Sequence, residues 1–182
     1  MRSRLVLAAA ALGAVALAAP AALAGAAPAT LDGKKVTTLT QSVTATMQAN
    51  DASIADSAEV RNNCNPPRCS LLPFVYAPAK GVKADILFTV TWANATSDID
   101  LFVVEQQKST RTRIAACGGS GGTSEKVFLP AGTLKKGKTY ILVADFFRTS
   151  GEKVTSKIEM PGKDTVSKMV PAALDNAINC TL

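Results

Sequence analysis

Between residues 36 and 160, apolar and polar side chains alternate in short runs separated by turn-forming residues, and no stretch sustains a helical period. Over residues 36–48, Leu39, Val43, Ala45 and Met47 share one parity while Thr38, Thr40, Ser42, Thr44 and Thr46 share the other. This predicts a strand, or two short ones, with one wet face. Gln41 interrupts the apolar set and predicts a bulge there. Residues 71–76 form an apolar run that Pro78 and Gly81 end. Ile86, Phe88, Val90 and Trp92 then stand opposite Leu87, Thr89 and Thr91, as expected of a strand with its aromatic face in the core. Beyond a polar turn at 94–97, residues 98–105 are apolar on both parities after Asp100, which predicts a central strand covered on both faces.

Residues 106–124 read as a polar loop, interrupted only at 114–117 and ending in glycines. A short strand at 126–129 is followed by the turn Pro130-Ala131-Gly132 and a strongly apolar strand at 139–147. Over 153–160, Val154, Ile158 and Met160 alternate with Lys153, Thr155, Lys157 and Glu159, and charges on the open face predict a strand near a sheet edge. Residues 25–35 read as a flexible leader, 50–63 as a loop with one helical turn, and 162–182 as a C-terminal tail with an apolar patch at 170–177. The pattern predicts an all-β, jelly-roll-like antiparallel β-sandwich, a single domain over 36–161.

The N-terminus adds a compartment. Arg2 and Arg4 precede an apolar run over 5–19, and Pro20 leads to Ala22-Leu23-Ala24, the layout of a secretory signal peptide over 1–24. The run is shorter than the roughly 20 residues of a spanning helix, and Ala26 stands where a lipoprotein anchor would need Cys. A secreted protein without a membrane span after processing, and a monomer, is expected. Four cysteines in an exported chain indicate two disulfides. Sequence alone leaves the connectivity open; the short prolyl loop favours Cys64 with Cys69, which leaves Cys117 with Cys180 to tie down the tail. The chain has no His, which argues against a zinc site.

The net charge is +6, and Lys and Arg are scattered except at Lys135, Lys136 and Lys138. That distribution reads as a solvated surface, and without interleaved aromatics no nucleic acid is expected as a partner.

Candidate chemistry is sparse. Asp98 and Asp100, two apart on a strand, leave one face about 7 Å from each other. They serve either to cap the 94–97 turn or to hold Ca²⁺. Asp145 shares its parity with Ile141, Val143 and Phe147, so it either completes a calcium set with Asp98 and Asp100 or meets Arg148. Gly118-Gly119-Ser120-Gly121-Gly122 has the letters of a nucleophile elbow, but a chain without His lacks the base, and no catalytic residue is expected. Trp92, Tyr76, Tyr140 and Phe147 are candidates for an aromatic sugar platform, though the parity of Trp92 places it in the core.

Three segments carry a resemblance: Thr91-Trp92 followed by Ser97-Asp98-Ile99-Asp100-Leu101, then Leu129-Pro130-Ala131-Gly132, then Tyr140-Ile141-Leu142-Val143. In these, residues 72–160 resemble the bacterial pre-peptidase C-terminal (PPC) domain, a jelly-roll-like sandwich of exported proteins. The chain departs from that pattern by an insertion at 133–138 and by its cysteines. The resemblance implies a non-catalytic accessory or binding role beside an exported enzyme, and an extracellular polysaccharide or protein is the expected partner. The alternative is an inhibitor or partner of a co-secreted protease, with Arg68 in the Cys64–Cys69 loop as its specificity residue.

Overall fold

The structure is a computed structural model that describes residues 27–47, 64, 66–117, 122–160 and 180–181. The signal-type segment, the 50–63 loop, the glycines at 118–121 and the 170–177 patch lie outside the described residues. Among the described residues there are ten strands: β1 (Ala29–Leu31), β2 (Thr38–Thr44), β3 (Cys69–Tyr76), β4 (Ile86–Thr91), β5 (Asp98–Gln106), β6 (Arg111–Cys117), β7 (Ser124–Leu129), β8 (Lys138–Arg148), β9 (Lys153–Glu159) and β10 (Cys180–Thr181). They form a six-stranded sheet, β1-β3-β8-β5-β6-β10, and a four-stranded sheet, β2-β9-β4-β7. Within this order β2 lies beside β9 and β3 beside β8, and β2 to β9 distribute between the sheets as the eight strands of a jelly roll.

The inner faces meet in one apolar core in which Phe74, Phe88, Leu101, Leu142 and Ile158 are fully buried. A second layer explains why β5 and β8 are apolar on both parities. On the outer face of the six-stranded sheet, Phe102, Val104, Ile141, Val143 and Leu71 pack with Cys64 and Cys69, which are joined by a disulfide. The short loop between these cysteines, with its cis Pro66-Pro67 bond, thus belongs to a cover over the sheet.

Several expectations are corrected. The leader contributes β1, which pairs parallel with β3 and buries Leu31 completely. Three residues are too few to show a period. β6 begins at Arg111, earlier than the readable 114–117, because its first residues are polar. β9 is an interior strand between β2 and β4, since its charges mark a wet face and carry no information about its neighbours. The β2–β9 ladder runs unbroken past Gln41, opposite Ser156, so there is no bulge there. Register shifts fall instead at Val103/Val104 and Asp98/Asp100 of β5. Trp92, Tyr76 and Tyr140 are buried in the core and form no platform. The backbone of β10 pairs Cys180 with Cys117 of β6.

Candidate functional site

The β4–β5 and β8–β9 turns lie at the end of the sandwich where β5 begins. Asn94 organises the first: its Oδ1 accepts from the amide and hydroxyl of Thr96 at 3.0 and 2.9 Å, and its carbonyl accepts from the Ser97 amide. Its Nδ2 donates to Ser150 Oγ at 3.0 Å, joining the two turns. Capping here is therefore the work of Asn94, and Asp98 and Asp100 are left for another arrangement.

Asp98 stands opposite Arg148, and Asp100 opposite Asp145, with an irregularity between the two pairs. Cys69 flanks Asp145 on its other side. Asp145 is only 1% exposed, shares the outer face with Ile141 and Val143, and has the Cys64 sulfur 3.6 Å from its Oδ1. The structure thus brings the predicted trio onto one face at one end. It adds Glu125 from β7 of the other sheet, 6% exposed. Sequence reasoning missed Glu125 by starting that strand at Lys126, although its parity with Val127 and Leu129 in Ser-Glu-Lys-Val-Phe-Leu was the available signal.

These acids resist ionisation. Burial, then the charges of Asp98 and Asp145, push Asp100 up to about 7. Burial, then Asp100 and Asp98, push Glu125 up to about 8. Burial pushes Asp145 up to about 6, against the opposing pull of Arg68 and the Phe146 amide. Among the described residues, no group of three or more His, Cys, Asp or Glu side chains is arranged to hold a metal ion. Ca²⁺ takes six to eight oxygens, so these carboxylates alone would not complete its shell. Melting the purified protein with Ca²⁺ and with EDTA should give the same midpoint to within about 1 °C; a calcium-dependent gain of about 2–3 kcal/mol at saturation would restore the cation site.

Next to the acids, Thr96, Ser97, Arg148, Thr149 and Ser150 line an open recess of about 520 Å³. Thr149 is anchored by its hydroxyl, which donates to the Thr46 carbonyl at 2.5 Å. Ser150 Oγ also meets Glu152 Oε2. Ser97 is 3% exposed, and its hydroxyl lies beside the Glu152 carboxyl. Against the effect of burial, hydrogen bonds from the Ser150 and Ser97 hydroxyls hold the Glu152 carboxyl low. The recess thus presents several hydroxyls and one guanidinium, a donor and acceptor set suited to polyhydroxylated ligands.

The chain matches no protein-family model and no curated protein.

Proposed function

We propose that the protein is a secreted, non-catalytic β-sandwich module that binds an extracellular polymer. The observation that carries this reading is the recess at the Asn94 end, where the exposed Thr96, Arg148 and Ser150 stand together. Hydroxyls and a guanidinium supply the donors and acceptors that sugar hydroxyls pair with. The signal-type N-terminus, the Cys64–Cys69 disulfide and the likeness to PPC domains support the same reading. The protease-inhibitor alternative is less favoured, because Arg68 is half-buried and its charge acts on Asp145. Its carbonyl also accepts from the Phe146 amide, which ties the loop to β8.

The test is retention on insoluble neutral polysaccharides such as cellulose, chitin and cross-linked dextran. Retention on at least one is expected, weakened about tenfold in Arg148→Ala, which loses two or more hydrogen bonds to ligand. Passage of the unmodified protein through all of them without delay would overturn the reading.

A further inference from the structure

The lysines that are scattered in sequence are gathered by the fold. The loops after β1, β3, β5 and β7 all emerge at the end opposite the carboxylates. Lys34 and Lys35 lie in the first, Lys80 and Lys83 in the second, and Lys108 in the third. Lys135 and Lys136 lie in the fourth, which leads into Lys138 at the start of β8. All eight are exposed.

The loops are tied into one surface. The Ala79 amide donates to the Asp32 carbonyl at 2.9 Å, and Lys34 Nζ reaches the Lys80 carbonyl at 3.3 Å. The Ala131 amide donates to Asp85 Oδ1 at 2.7 Å, and the Gly137 amide to the Tyr76 carbonyl at 2.7 Å. Gly33, at φ +71°, closes the first loop where an added Cβ would come within 2.7 Å of Met160 Cε. Only three carboxylates accompany the eight lysines in these loops and the adjoining end of β5, an excess of five positive charges in a chain whose total is +6. Two of the three are spent internally: Asp32 Oδ1 accepts the amides of Lys34, Lys35 and Val36 at 2.7–2.9 Å, and Asp85 holds Ala131. Glu105 faces Lys138 at 3.7 Å beside an open recess of about 640 Å³ lined by Gln106, Gln107 and Lys108.

The geometry points to this lysine end as a second binding surface, for an anionic extracellular glycan carrying repeated carboxylate or sulfate groups. The charges sit on four separate loops, as a linear polyanion with spaced charges requires. They are all lysine, point charges without the bidentate fork that favours a single fixed anion. No aromatic residue is exposed among them to stack bases, which argues against nucleic acid.

The experiment compares the purified protein on heparin, on polygalacturonate and on double-stranded DNA, each over a salt series, with three variants. Combined Lys80→Gln, Lys83→Gln, Lys135→Gln and Lys136→Gln should weaken glycan binding about tenfold and flatten its salt dependence, since fewer counterions are released. Removing the same number of charges through Lys126→Gln, Lys153→Gln, Lys157→Gln and Arg113→Gln should have a much smaller effect. Equal losses in both sets would mean general basicity and would overturn the assignment, as would tighter binding to DNA than to either glycan at equal salt. The surface is independent of the Arg148 recess, so Arg148→Ala should leave binding to the anionic glycans unchanged while the lysine variant leaves neutral-glycan retention unchanged.

Discussion

The protein should lose stability as the pH rises from about 5 to about 8. Asp100, Glu125 and Asp145 have folded-state values of about 7, 8 and 6, all above the ordinary carboxyl range. Below pH 4 these acids are protonated whether the chain is folded or not. As pH climbs past that range the unfolded chain releases their protons first, so their contribution is lost until it is exhausted above the folded values. The total is on the order of a few kcal/mol, reduced by the coupling among the three. Asp32, held low by the amides of Val36 and Lys34, runs the other way, as does Glu152, where the hydroxyls and amide around it outweigh burial. Their contributions are lost as pH falls, which places the optimum near pH 4 to 5. Glu125→Gln separates the effect from general charge. It should raise the melting temperature at pH 8 by on the order of 5 °C and change little at pH 4.5. A midpoint that climbs between pH 5 and 8 would show that the cluster ionises without penalty.

Phe74→Ala should cost about 3–5 kcal/mol. Phe74 is fully buried, stands opposite Tyr140 on β8 with ring centroids 5.8 Å apart, and meets Phe88 of the other sheet at 5.9 Å. Its ring is the point where the two sheets touch through aromatic contacts, and no single neighbour can collapse into the space from both sides. The loss compares with a total stability of about 5–15 kcal/mol for a domain of this type, so urea denaturation should show a much lower midpoint with an unchanged slope. Phe128→Ala, on the half-exposed outer face of β7, should cost on the order of 1 kcal/mol or less.

Much of this architecture was legible because period-two alternation survives wherever one face of a strand is wet. The parity of Ile86, Phe88, Val90 and Trp92 identified the core side of β4, and that of Asp145 placed it with Ile141 and Val143. Alternation says which face is covered but nothing about what covers it. The Cys64–Cys69 loop over Phe102 and Val104 could not be read, nor could the interior position of β9. Short elements fail for a different reason: Ala29–Leu31 is held by its parallel ladder to β3, a long-range interaction that leaves no local trace. The two Asp of β5 were visible as a pair, while their closest energetic partner in the other sheet, Glu125, was hidden at a strand start. The lysine end was invisible because loops distant in sequence become neighbours only through the jelly-roll connections.

β1 and β10 also bear on how copies of this protein meet one another. The first and last strands, of three and two residues, close the two sides of the six-stranded sheet along β3 and β6. A backbone row that would template a neighbouring chain is thereby shortened to a few residues on each side. Among the described residues the four-stranded sheet has no such guard and ends in β2 and β7. Edge-to-edge self-association would therefore start from the threonine-rich β2 or from β7, where Lys126 stands as a gatekeeper.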